Sequence, residues 1–400
     1  MDKDTIWIPV GPQHPFLKEA AQFDFDIRGE EIVGARYQLG YNHRGMEKAC
    51  EDRNYYQCLY LLERICGICS HSHTTAFSMA VEQILNLEVP KRGEYLRSLV
   101  CELERLHSHL LWIGVAAHEV GFDSLFMLVW RDREIVMELL ESITGNRVNY
   151  AINTIGGVRR DITDEQRTKV LAMVKDLEKR MEYYAHIGTN EPTFVARIKG
   201  VGVLPPEKAK AMCSVGPFAR ASGLDLDIRR DDPYGAYPDL EFKVITDTNC
   251  DILGRVIVRV LELLESCKMI RQMLENLPEG DIAVKKVPRK VPEGFALARY
   301  EAPRGEDCHY VRANGTDKPD RVKVRAPTMA NLEAAVESVI GSYVADIPIA
   351  IASIDPCFSC TDRTTVVLND VNRGRQVMTW EDLRKKGIEF YRKEVGISLS

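Results

Sequence analysis

The stretch ERICGICSHSH, Glu63 to His73, sets Cys66 and Cys69 two residues apart, and the rest of the chain is read outward from it. One other pair has this spacing. It is DPCFSCTDR, Asp355 to Arg363, with Cys357 and Cys360. Two thiols from each of two distant segments can meet at one metal centre. On spacing alone three occupants compete: a structural zinc ion, an iron–sulfur cluster, or a nickel centre held by soft thiolates. Separation of the pairs by nearly the whole chain weighs against zinc, whose ribbons keep both pairs local.

Composition narrows the class. The 400 residues are 45% apolar and 28% charged, as in a soluble globular protein. A net charge of −6 argues against a general nucleic-acid binder. Eleven cysteines, an odd number, behind the polar, then strand-like start MDKDTIWIPV favour free thiols in a reducing compartment. The longest apolar stretches, such as LLWIGVAAHEVGF from Leu110, are too short or interrupted to span a bilayer. Membrane association is therefore expected only through partners.

The segments TIWIPV, QFDFDIRG and EIVGARYQLG read as strands. Helical spacing of apolar residues runs from Glu94 to Val120, through Leu96, Leu99, Leu103, Leu106 and Leu110. Further helices are expected over Asp164 to His186, with Asp164 as a possible cap, over Ile252 to Leu277, and over Ala330 to Ser342. YEAPRGEDCHY reads as a Gly/Pro loop. The expected fold is α+β and mostly α, a large helical domain with a small N-terminal β-sheet.

The flanks of the cysteine pairs decide among the metals. RGME (Arg44 to Glu47), fifteen residues, then ERICGIC resembles the N-terminal signature of nickel–iron hydrogenase large subunits. DPCFSCTDR resembles the matching C-terminal signature, and EAPRGE (Glu301 to Glu306) a third family motif. GPQHP at Gly11, GYNHRG at Gly40, ELERLHSHLL at Glu102 and the terminal Arg363 resemble the energy-converting, membrane-associated branch. They also resemble its cousin, the 49-kDa quinone-site subunit of respiratory complex I. The cousin lacks the four thiolates. It has a tyrosine where this chain has Gly67, and a histidine where this chain has Lys18.

The resemblance implies a hydrogenase-like domain over 1–363, with its sheet at about 5–42 and its helical body and metal-site loops at 43–363. It implies that 364–400 is an extension removable by a maturation endopeptidase. It makes Cys66 and Cys357 terminal nickel ligands. Cys69 and Cys360 would bridge nickel to an iron carrying carbon monoxide and cyanide. Glu19 becomes the proton relay from Cys357, and Arg304 the guanidinium over the open metal face, with Pro303 and Asp355 around it. Glu47 aligns with a magnesium ligand, but Arg363 replaces the histidine that shares this ion in relatives. Partners would be an iron–sulfur small subunit, ferredoxin and ion-translocating membrane subunits, with the chain on the cytoplasmic side of the membrane. The alternatives are a complex I-like subunit reducing a quinone or sulfur compound, and a structural protein clamped by four-cysteine zinc. His71, His73, His107 and His109 read as hydrogen-bonded packing groups.

Overall fold

A computed structural model describes residues 4–363 and, further on, residues 368–370, 374–376, 380–390 and 392–393. The chain divides into two units, Met1–Asp362 and Arg363–Ser400.

Strands β1 (Thr5–Val10), β2 (Gln22–Arg28) and β3 (Glu31–Gln38) form an antiparallel sheet in that order. β2 is a strand because its apolar residues recur every second position. Phe23, Phe25 and Ile27 are buried, while Gln22, Asp24 and Asp26 are not. Then α1 (Met46–Glu51), α2 (Tyr55–Glu63) and α3 (Ser70–Leu85) lead to the long α4 (Lys91–Glu119). α4 packs against α5 (Asp123–Thr144) and against the Ile252–Glu275 helix, which in turn packs on α6 (Asp164–Asn190).

Three expectations change. Thr163, not Asp164, caps α6: its hydroxyl accepts the Gln166 N–H while Gln166 reaches back to the Thr163 N–H. α5 carries a helix that the sequence reading did not separate from its neighbours. The supposed loop YEAPRGEDCHY is a β-hairpin. Gly294–Ala302 pairs with Gly305–Ala313, and Pro319–Arg325 completes a second antiparallel sheet. Ala302 pairs with Gly305, so Pro303 and Arg304 are the whole turn. Gly305 sits at φ 122°, and a Cβ there would lie 2.7 Å from the Gly216 nitrogen, so only glycine fits. The helix expected over Ala330 to Ser342 runs Pro327–Val339, three residues earlier at each end.

α4 also departs from its amphipathic reading. Its apolar stripe faces the core, yet Arg97, Glu102, Glu104, Arg105, His107 and His109 are buried as well. The polar side of the helix faces the protein interior. α3 lies on the second sheet, and Phe77, Ala80 and Val81 join Ala298, Val311 and Val322 in a second apolar cluster that also contains the four paired cysteines. The tail unit holds a short antiparallel pair, Leu368–Asp370 with Gly374–Gln376, and a Trp380–Phe390 helix. The cap expected at Thr379 lies outside the described residues.

Candidate metal centre

Cys66 lies in the turn after α2, and Cys69 is the residue on which α3 starts. Arg44 holds this turn, donating to the carbonyls of Arg64 at 3.1 Å and Ile65 at 2.6 Å. Cys357 precedes, and Cys360 belongs to, the short helix Phe358–Thr361. The fold brings the two pairs together. All four sulfurs lie within 4.8 Å of one another and are buried. Cys357 Sγ is 3.3 Å from Cys66 Sγ and 3.0 Å from Cys360 Sγ, and Cys69 Sγ is 3.5 Å from Cys360 Sγ.

This donor set fits a thiophilic metal. None of the four cysteines is in a disulfide. Hydrogen bonds from the other three thiols draw Cys66 well below the usual thiol range, while Cys357 first of all pushes Cys69 up and burial pushes Cys360 up. Four buried thiolates at this spacing therefore need added positive charge, which metal ions supply. A small void of about 10 Å³ is lined by Cys69, Cys357, Cys360 and Arg304, and also by His73, Asp307 and Thr328.

Arg304 projects from the two-residue turn. Its Nε–H donates to the Asp355 carbonyl and its Nη2 to Asp355 Oδ1, both at 2.7 Å, and Nη1 donates to the Ser108 hydroxyl at 3.2 Å. Burial alone would lower its proton affinity. Asp355 and the sulfurs of Cys357, Cys69 and Cys66 outweigh burial and keep it protonated. Asp355 itself sits at φ 57°, a left-handed conformation that costs a non-glycine residue about 1–3 kcal/mol. Arg304 grips both the carbonyl and the carboxylate of this strained turn. Asp355 Oδ2 is buried without a hydrogen-bond partner, so the carboxylate keeps spare accepting capacity beside the sulfurs.

Glu19 is brought to the same place from the opposite end of the chain. Its Oε2 accepts the Ser359 N–H at 2.8 Å and its Oε1 the Ser359 hydroxyl at 2.5 Å. Ser359 stands between the two C-terminal cysteines, one position before Cys360 and two after Cys357, so the carboxylate is tied to the segment that carries both. Lys18 turns elsewhere and pairs with Glu119 at 2.9 Å. Glu47 does not join the cluster. Its carboxylate accepts the Val324 N–H at 2.9 Å and pairs with Lys323 at 3.1 Å. Among the described residues no other carboxylate, histidine or cysteine stands with it in a ligand group. Lys323 thus already places an ammonium at this carboxylate.

The histidines divide. His71 and His107 are pushed down to about 3, and His109 to about 4, by burial, and so are neutral. They bond Arg97 O, Ile68 O and Glu262 respectively, as packing groups do. His73 differs. Its Nε2 lies 3.3 Å from Cys360 Sγ and 3.6 Å from Cys69 Sγ, and its Nδ1 lies 3.0 Å from Asp307 and 3.1 Å from His309 Nε2. Burial opposes a charge on His73, but Asp307 outweighs it and raises the imidazole. A histidine backed by a carboxylate and aimed at the sulfurs is a partner for the metal ligands that the sequence reading set aside. The available signal was position: on a helix starting at Cys69, residue 73 lies one turn on, on the same face.

The comparisons with known proteins bear on the same segments. Residues 44–118 match a family model described as nickel-dependent hydrogenase. Residues 119–289 and 284–363 match one described as respiratory-chain NADH dehydrogenase, 49 Kd subunit. The membrane-bound hydrogenase subunit alpha of Pyrococcus furiosus is 43% identical, over 97% of this chain and 94% of its own. The carbon monoxide-induced hydrogenase of Rhodospirillum rubrum is 40% identical, over 90% of this chain and 99% of its own. A chain in the solved structure of the membrane-bound sulfane sulfur reductase, an archaeal respiratory membrane complex, superposes with a TM-score of 0.86 at 34% identity. That match covers 91% of this chain and all of the other.

Proposed function

Since the chain belongs to the family of complex I-like nickel–iron hydrogenase large subunits, we propose that it is the catalytic subunit of a membrane-associated hydrogenase. The reaction is the reversible heterolysis of dihydrogen to protons and electrons. The carrying observation is the convergence of four buried thiols beneath Arg304, with Glu19 held on Ser359 between the two C-terminal cysteines.

Cys66, Cys69, Cys357 and Cys360 would hold the nickel, Cys69 and Cys360 also the iron. Bound there, nickel and iron carrying carbon monoxide and cyanide would supply the redox and Lewis-acid chemistry. The chain's own groups do the rest. Arg304 stays protonated, so it orients Asp355 and offsets negative charge at the open face; it is no base. His73 aims a ring nitrogen at the two shared sulfurs. Glu19 takes the proton leaving Cys357, because its carboxylate is bonded to the Ser359 hydroxyl on the short segment that carries that thiol. The apolar cluster around the cysteines keeps bulk water out.

Electrons leave through an iron–sulfur small subunit, since no second cluster of cysteines exists among the described residues, and pass to ferredoxin. Among those residues no helix is long and apolar enough to cross a membrane. Attachment to the cytoplasmic face runs through ion-translocating membrane subunits, a placement supported by the membrane-bound complexes named among the relatives. A second reading, reduction of a quinone or sulfur compound, is favoured by the 49-kDa family match and the sulfane sulfur reductase neighbour.

One spectrum separates the readings. An infrared spectrum of the metal-loaded complex is expected to contain cyanide and carbon monoxide stretches, with nickel and iron near one each by elemental analysis. A Cys357→Ser variant is expected to lose both. Zinc alone indicates a structural clamp. A loaded complex without those stretches excludes the hydrogenase reading.

A further inference from the structure

Away from the sulfurs, the interior of the α4 and Ile252–Glu275 helices holds a cluster of charged groups that the reaction as described does not use. Three guanidiniums, of Arg105, Arg220 and Arg229, face four carboxyls, of Glu102, Asp227, Glu262 and Glu301. All seven are at most 3% exposed. His109, the titratable neighbour on α4, is neutral because burial pushes it down to about 4. Arg259, the next cation along the helix, stacks on Trp112 and donates to the Arg255 carbonyl. With every carboxyl ionised, the cluster keeps one excess negative charge out of contact with water. Such a charge is costly, and a proton removes it.

The geometry indicates which carboxyl takes that proton. Glu102 is held by Arg105 and Arg229, both at 3.2 Å, and by the hydroxyls of Tyr237 and Ser266, both at 2.6 Å. Asp227 has Arg229 at 2.7 Å and Arg220 at 3.6 Å. Glu262 has Arg220 at 2.8 Å and His109 at 2.8 Å. Glu301 has one guanidinium contact, Arg220 Nη1 at 2.8 Å, and one long N–H, from Ile228 at 3.3 Å. Tyr234 touches only its backbone nitrogen, and Arg105 only its carbonyl. It is the carboxyl with the least compensation, and Asp227 repels its charge.

We infer that Glu301 is a proton-storage group for the metal site, a buried carboxyl that holds one exchangeable proton between the Arg304 hairpin and a basic surface cavity. Glu301 lies on the strand that leads into the Arg304 turn, three residues before that arginine. On its other side Asp227 and Arg229 lead to an open cavity of about 480 Å³, whose lining includes Arg229, Arg230, Tyr237, Lys243 and Lys268. Taking up the proton converts Glu301 to the neutral acid, and release to the cavity restores the carboxylate; no electron moves. Consistent with the contacts, burial pushes Glu301 up to about 7, with Asp227 adding to the rise and Arg220, Arg229 and Arg105 opposing it. What the proton is for rests on the hydrogenase reading; that Glu301 carries it does not.

The test is a difference infrared spectrum of the purified complex between mildly acidic and mildly alkaline pH. A buried carboxylic-acid carbonyl band is expected in the acidic state, shifted in heavy water, lost in Glu301→Gln and displaced in Glu301→Asp. A band that survives unchanged in both variants, or no such band in the unmodified complex, overturns the inference. The cyanide and carbon monoxide stretches appear in the same spectrum. Their absence removes the hydrogenase reading while the carboxyl band remains readable, so the two failures are distinct. Stability gives a second measurement. An acid raised by folding stabilises the folded state least at high pH, so stability falls between about pH 4.5 and 7 and levels off above. In Glu301→Gln this component of the fall is expected to vanish, and an unaltered pH profile overturns the inference.

Discussion

Arg304 carries more of the candidate site than any single cysteine, because it joins three segments: the hairpin turn, the strained Asp355 turn and Ser108 on α4. A planar fork can hold a carbonyl, a carboxylate and a hydroxyl at once; an ammonium on a flexible stem cannot. Arg304→Lys is therefore expected to keep the charge and lose the alignment. Losing one or two charge-assisted hydrogen bonds to a buried acid costs about 2–4 kcal/mol. Dihydrogen turnover should fall by at least tenfold while nickel and iron stay near one each. Full turnover in this variant would contradict the positioning role, and loss of both metals would make Arg304 an assembly residue instead. At this scale the sequence was most legible where chemistry is local. Cysteines two apart announce themselves, and the resemblance pointed to Glu19 and Arg304. Ser359, Asp307 and His309 were not legible, because each acquires meaning only from a neighbour more than two hundred residues away. Glu47 keeps its motif, and Lys323 from the second sheet pairs with its carboxylate.

Among the elements, the long helices other than α5 were readable and the second sheet was not, and for the sheet the reason is physical. Periodicity reports a surface with one wet side. β2 has a wet side, and its alternation is clear. The Gly294–Ala302 strand is buried on both faces over its last three residues, and its sequence mixes Ala, Arg, Tyr and Glu, so no alternation survives where the motif lies. The proline and glycine of EAPRGE then read as a loop, when Pro303 and Arg304 are the turn of a hairpin and Gly305 opens its second strand. That turn is held in place by the Gly216–Gly305 approach. Gly305→Ala is expected to cost about 2–4 kcal/mol, from the positive φ and from a Cβ driven into the Gly216 backbone. Denaturant unfolding of the assembled protein measures it, and a change under 0.5 kcal/mol, taking surface substitutions as the yardstick of about that size, would mean that the hairpin can shift without loss. Because Arg304 rides on this turn, the same variant should also displace the carbon monoxide and cyanide stretches.

Over the whole molecule, the two half-sites sit at opposite ends of the body, with Cys69 and Cys360 separated by 291 positions. A metal joining them closes nearly the entire chain into one loop. By the loop-closure relation for cross-links, this removes unfolded-state freedom on the order of 5 kcal/mol. Metal insertion is therefore an event of the whole fold, and it has a natural order relative to the tail. The second half-site lies at the very edge of the body: the division between units falls after Asp362, one residue before the expected cut between Arg363 and Thr364. If the tail is a maturation propeptide, its removal would follow metal insertion. The expected outcome is that chains from a nickel-loaded, assembled complex end at Arg363, and that chains produced without nickel still run to Ser400. Intact-mass spectrometry of both preparations reads this directly. A loaded, active complex whose chain retains residues 364–400 would show that closure needs no cleavage and that the tail is a permanent part of the subunit.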